Sequence, residues 1–256
     1  MHLPESFHSD GKYLIYRPVW VMIIQEGGQM MKRILPMMLG MLFLVTGCTA
    51  DVGNQDQSTV DAVSAATQSR YRENEISEYK GARLDPAIGP RDNSIKGVQQ
   101  VDIANFALTI DGLVDTTVTL TYDQVLELEA YERLITLHCV EGWDATILWK
   151  GVLINELIQK AHAKPEAVTV IFSSVDGYTT SLPLKTVIAQ ELILAYRANG
   201  LDLPPEMGYP FIVVAEDRLG YKWARWVNRI TLSDDANYLG YWENLGYSND
   251  ANVTLK

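Results

Sequence analysis

Leu137-His138-Cys139-Val140-Glu141-Gly142-Trp143 is the stretch on which the reading of this chain turns. Arg133 to His138 alternates as a strand does and delivers Cys139 at its end. Gly142 and Trp143 then break the pattern, which places the thiol at the top of a loop. The chain holds two cysteines, Cys48 and Cys139, too few for a disulfide framework. Taken alone, Cys139 is open to two readings. It is an inert core residue, since a cysteine packs as a small hydrophobe, or it is a reactive thiol, an intermolecular bridge or a ligand. A soft thiolate suits a metal already bound by sulfur.

Working outward, Phe106 to Ile110 has strand character before the Asp111-Gly112 turn signal, and Val114 to Leu120 reads as a second strand. Thr121 offers a cap for a helix running to about Leu128. Gly151 to Ile158 reads as a turn and then a helix. Val168 to Ser173 is a strand, and Asp176-Gly177 a turn before the strand Tyr178 to Leu182. Leu184 to Glu191 is helical, Leu192 to Tyr196 a strand, and Asn199-Gly200 a hairpin turn. Phe211 to Ala215 and Trp226 to Leu232 are the last strands. Short strands with interspersed short helices, and no βαβ rhythm, predict an α+β fold with a mixed sheet rather than a doubly wound one.

A 47% hydrophobic and 21% charged composition excludes wholesale disorder. The net charge of −11 argues against a nucleic-acid partner, because phosphate binding needs a surplus of Lys and Arg. Against that acidic background Arg218, Lys222, Arg225 and Arg229 cluster, interleaved with Tyr221, Trp223 and Trp226. The cluster reads equally as an anion site or as a solvated basic face whose long stems cover aromatic rings. His138, next to Cys139, is either a packed, hydrogen-bonded side chain or a lining residue of a site. No zinc spacing emerges.

The N-terminus reads as an export signal, with an uncleaved membrane anchor as the other reading. Met31-Lys32-Arg33 precedes an apolar run, Ile34 to Val45, too short to span a bilayer comfortably. It ends in Leu44-Val45-Thr46-Gly47-Cys48, which resembles the bacterial lipobox, in which the cysteine becomes the lipidated first residue. The predicted organisation is an extension over 1–30 that translation does not include, a lipoprotein signal over 31–47 and a polar tether over 48–69. An irregular segment over 70–100 and one domain over 101–256 follow. The mature protein is expected outside the cytoplasm, held to a membrane through lipid on Cys48.

Several segments together resemble one family, the sulfite oxidase-type molybdopterin-binding domain. They are Leu137 to Trp143 with Trp149-Lys150-Gly151-Val152, Asp176-Gly177-Tyr178-Thr179-Thr180-Ser181-Leu182-Pro183-Leu184, and Leu194-Ala195-Tyr196 through Leu203-Pro204-Pro205. Gly220-Tyr221-Lys222-Trp223-Ala224-Arg225-Trp226-Val227 and Tyr241-Trp242-Glu243 with Gly246-Tyr247 complete the set. The resemblance runs from about Asp92 to Asn252. It implies a mixed-sheet α+β fold around a molybdenum cofactor, molybdenum on a molybdopterin dithiolene, with Cys139 as the protein's metal ligand. It puts Lys222 and Arg225 at the pterin phosphate, with their side chains converging on one anion position. It puts Tyr178, Thr179 and Ser181 along the pterin pocket, with His138 beside Cys139.

The implied reaction is a two-electron oxygen-atom transfer on a small or protein-borne sulfur-type substrate, the metal doing the redox chemistry. The chain stops soon after the tail motif, which implies that electrons pass to or from a separate carrier or a quinone-linked membrane subunit.

Four departures stand against the pattern. Met207 occupies the place of a family histidine. Ile212 and Ala215 replace an Arg and a Pro, and Arg225 replaces a Lys. The signal offers Lys32-Arg33 where relatives carry twin arginines. These departures keep a second function class open: a lipid-anchored binding module that retains the fold without the cofactor.

Overall fold

The computed structural model describes residues 65–89 and 94–253. The expected extension 1–30, the signal 31–47, the lipidation site Cys48 and most of the tether lie outside these residues. A helix, α1, occupies 65–74, spanning the end of the stretch expected as tether and the start of the one expected as irregular. Tyr71 explains why it is held: its hydroxyl faces the carbonyls of Ala198, Leu201 and Asp202 at 3.0, 3.2 and 3.0 Å. Burial, with Glu75 next, keeps that phenol protonated well above its ordinary range.

After α1 come β1 (Glu78–Tyr79), β2 (Ala82–Arg83), β3 (Leu108–Gly112), β4 (Val118–Leu120), α2 (Tyr122–Leu126), β5 (Tyr131–His138) and β6 (Asp144–Leu153). Then follow α3 (Ile154–Ala161), β7 (Thr169–Ser174), β8 (Thr179–Pro183), α4 (Leu184–Ala189), β9 (Ile193–Ala198) and β10 (Leu201–Asp202). β11 (Ile212–Val214), β12 (Val227–Ser233) and α5 (Tyr241–Asn244) complete the order. One sheet runs β10-β9-β6-β5, with β11 also on β9. The other runs β4-β3-β12-β7-β8. β12 pairs in parallel with β3 and antiparallel with β7, so this sheet is mixed. The α+β class expected from the sequence is the one observed.

Local chemistry accounts for several elements. Thr121 Oγ1 accepts from the Gln124 N–H while the Gln124 side chain accepts from the Thr121 N–H, a reciprocal cap that starts α2. Asn199 and Gly200 both take positive φ, +47° and +84°, the geometry of a two-residue hairpin turn between β9 and β10. Trp149, Phe172 and Phe211 are fully buried at the centre of the core, and the Trp149 indole N–H donates to the Ile135 carbonyl at 3.2 Å.

The largest departure from expectation is β6. Gly151 to Leu153, expected as a turn into a helix, continue the strand, and α3 begins only at Ile154. The reason is a close backbone approach. A Cβ on Gly151 would stand 2.2 Å from the Leu194 carbonyl oxygen and 2.5 Å from Ala195 Cα, at a register shift between β6 and β9. Glycine therefore serves strand contact here, not turning. Gly151→Ala is expected to lower stability by about 3 kcal/mol, because the clash is with main chain that has no rotamer to change. The urea-unfolding midpoint measures this, and a shift of less than a third of that size would count against the tight packing.

Candidate active site

Cys139 sits where the β5–β6 hairpin turns over. Its N–H donates to the Trp143 carbonyl at 2.9 Å, and its own carbonyl accepts from the Gly142 N–H at 3.1 Å. Gly142 turns the chain at φ +86°. These backbone bonds set the place of the thiol, which is half-buried and not in a disulfide. His138 also forms a parallel bridge with Leu219. That bridge brings the 3-10 turn Gly220–Lys222 and the following Arg225 alongside the hairpin.

Between these segments lies a cavity of about 430 Å³, within the range of small-molecule sites. Cys139, Trp143, Tyr178, Glu206, Trp223 and Arg225 are among its walls. Arg225 is held on two sides: its Nη1 donates to the Glu206 carbonyl at 2.8 Å, and its guanidinium lies 4.8 Å from the Trp226 ring centre. Gly208, at φ +102°, makes room for it, since a Cβ there would meet Arg225 Cβ at 2.7 Å. The N-terminal strap contributes Ala87, Ile88 and Gly89. The last of these admits the Trp143 ring, 3.1 Å from where its Cβ would be.

Of the side chains expected at the pocket, Cys139, Tyr178 and Arg225 line this cavity; His138, Thr179, Ser181 and Lys222 are not among its walls. The expected convergence of Lys222 and Arg225 on one anion position is not observed. Lys222 is fully buried and turned the other way, onto Glu243, with the Ser181 carbonyl at 3.1 Å and Asn249 Oδ1 at 2.9 Å. Burial lowers its pKa and Glu243 opposes that shift. His138 Nδ1 pairs with Asp144 Oδ1 at 2.8 Å across the hairpin base. Ser181 Oγ donates to the Tyr238 carbonyl at 3.2 Å. Tyr178 donates its hydroxyl to the Tyr221 carbonyl, and burial raises its pKa strongly, with Glu243 adding to the effect.

Sequence reasoning passed over Glu206, Asp176 and the strap. Glu206 is 8% exposed, and its Oε2 has no hydrogen-bond partner among the described residues. Asp176, a cavity wall, reads in the sequence as half of a turn signal and as the start of a family-like segment, not as a site residue. Nothing in the composition of 87–89 marks it as a wall.

The residues fit a metal carried by an organic group. Among the described residues no three His, Cys, Asp or Glu side chains cluster closely enough to hold a bare ion. Cys139 offers one soft ligand and Arg225 a cation for an anionic end. The partnerless Glu206 oxygen awaits a donor.

Comparison with known proteins agrees. The model of the oxidoreductase molybdopterin-binding domain matches residues 95–242. The chain is 36% identical over 147 residues to the oxidoreductase YuiH of Bacillus subtilis, covering 57% of this chain and 74% of that one. It is 30% identical over 147 residues to the protein-methionine-sulfoxide reductase catalytic subunit MsrP of Gluconobacter oxydans, covering 50% and 47% respectively. The sulfane dehydrogenase SoxCD of Paracoccus pantotrophus shares its fold, with a TM-score of 0.53 at 24% identity over 55% of this chain and 41% of that one.

The protein belongs to the oxidoreductase molybdopterin-binding domain family. It is a molybdenum-cofactor oxidoreductase with the sulfite oxidase-type fold, and that membership favours the enzyme over the cofactor-free module.

Proposed function

We propose that this is an exported, lipid-anchored enzyme that moves an oxygen atom to or from a sulfur-centred substrate, small or borne on a protein. The observation that carries the reading is the Cys139 thiol on the wall of a cavity it shares with Arg225. The likeness to a methionine-sulfoxide reductase catalytic subunit supports the sulfur substrate. The lipobox-like end of the signal at Cys48 supports the anchor.

When bound, the cofactor supplies the two-electron oxygen-atom chemistry. Cys139 would hold the metal, and Arg225, fixed against Glu206 and Trp226, would hold the anionic end. Trp143, Tyr178 and Trp223 exclude water from the reacting space. Electrons pass to or from a separate carrier or a quinone-linked membrane subunit, according to the direction of transfer.

Expression in a host that makes the cofactor and exports the chain is expected to give close to one molybdenum per chain. It is also expected to give dye-linked reduction of methionine sulfoxide, and a mature mass that begins at a lipidated Cys48. Folded, exported protein without molybdenum would reject the enzyme reading. A mature mass that includes residues 1–47 would reject the anchor.

A further inference from the structure

We propose that Glu206 is a recognition residue for the pterin ring, its carboxylate accepting the paired N–H and NH2 donors on the ring's aminopyrimidinone edge. This rests on the cavity being the cofactor site.

Glu206 lies on the 3-10 turn Pro205–Met207, whose backbone is engaged at several points. Its carbonyl accepts from Arg225 Nη1. The Pro205 carbonyl accepts from the Trp226 indole at 2.8 Å and from the Gly208 N–H at 3.0 Å, and the Met207 N–H donates to Pro204 at 3.0 Å. The turn is therefore held from several directions and sets the place of the carboxylate.

That carboxylate is more than nine-tenths buried, and its Oε2 has no partner among the described residues. A buried charged acceptor without a donor is costly until one arrives. The neighbours that share its wall, Met207, Ile212 and Trp223, are buried. Methionine and isoleucine have no side-chain donor to give, and the Trp223 indole N–H is spent on the Arg218 carbonyl at 3.0 Å. No donor among the described residues reaches Oε2, so a ligand that brings one would meet a waiting acceptor.

The edge of a pterin presents an amino group and a ring N–H side by side. Two parallel donors are what the two oxygens of a carboxylate accept, as in a guanidinium–carboxylate fork. A phosphate in the same place would be repelled by the negative charge. Glu206 therefore reads the ring, and the anionic end is left to Arg225.

The test uses the full mature chain produced without cofactor and titrated with unsubstituted pterin, followed by pterin fluorescence and by the rise in melting temperature. The parent is expected to bind saturably, and Glu206→Gln to bind at least about tenfold more weakly, the loss of a charge-assisted pair. Its response to inorganic phosphate is expected to be unchanged. Should the glutamine variant fail to fold, Glu206→Asp, which withdraws the same charge by one methylene, is read in the same titration and is expected to bind pterin more weakly than the parent.

Binding of pterin by the variant within twofold of the parent would overturn the proposal. So would a parent that binds no pterin. Molybdenum content of the native holoenzyme reads the cofactor site separately. A loaded holoenzyme whose Glu206→Gln chain still binds pterin as the parent does rejects the role of Glu206 alone.

Discussion

Cys139→Ser, produced in a host that loads the cofactor, is expected to lose its molybdenum or, where metal is retained, at least about a hundredfold in oxygen-atom transfer. Substitution of groups one shell beyond a metal ligand already costs roughly 10- to 100-fold, and a ligand itself is worth more. A serine hydroxyl is a harder and far less acidic donor than a thiol, and so a poor replacement at a metal dressed in sulfur. The fold is expected to survive. The turn at Cys139 is made by its N–H to Trp143 and its carbonyl to Gly142, neither of which involves the side chain. Metal analysis and activity of the same preparation decide the matter, with circular dichroism reporting the fold. A serine variant with full metal and full activity would remove Cys139 from the site.

Lys222→Met is expected to cost stability, about 3–5 kcal/mol, because it leaves the Glu243 carboxylate buried without its cation. Both side chains are fully buried, and Thr180 Oγ1 donates to the same Glu243 oxygen at 2.8 Å. Glu243→Gln should cost a comparable amount, whereas replacing both partners with apolar residues should recover most of the loss. Urea unfolding of the two single variants and the double variant measures the coupling. Because Lys222 is not a cavity wall, residual folded protein is expected to bind pterin and phosphate as the parent does. A stable Lys222→Met chain that has lost phosphate would show that the lysine serves the cofactor after all.

That lysine marks how far the sequence reaches. A cluster of cations interleaved with aromatics left an anion site and a solvated basic face equally open, because charge spacing along a chain says nothing of direction. Arg225 and Lys222 are three positions apart and leave the 220–226 segment toward opposite neighbours, one to the Glu206 carbonyl and the other to Glu243. The partner that decided this, Glu243, lies in α5, far along the sequence. Cys139 was legible for the opposite reason: its position follows from a strand ending at a glycine turn, which is local information.

Strand order was not legible. The parallel contact of β12 with β3 joins residues about 120 positions apart, and periodicity carries no trace of it. Gly151 misled because a glycine required by a neighbouring strand looks, in one dimension, like a glycine required by a turn. Glu206 stands in the sequence only as the neighbour of Met207, and its missing partner is visible only once burial is known.

The fastening of α1 has a mechanical meaning. Residues 87–89 form part of the cavity wall, and α1 precedes them in the chain. A pull entering from the N-terminal side meets Tyr71, gripped by three carbonyls, and then Glu75, which accepts from the Asn199 side chain at 2.8 Å and the Ala87 N–H at 2.9 Å. Asp85, bonded to both the N–H and the carbonyl of Thr146, is the last anchor before the wall. Along the chain these bonds tie the N-terminal segment to the sheet at three successive points before the cavity wall is reached.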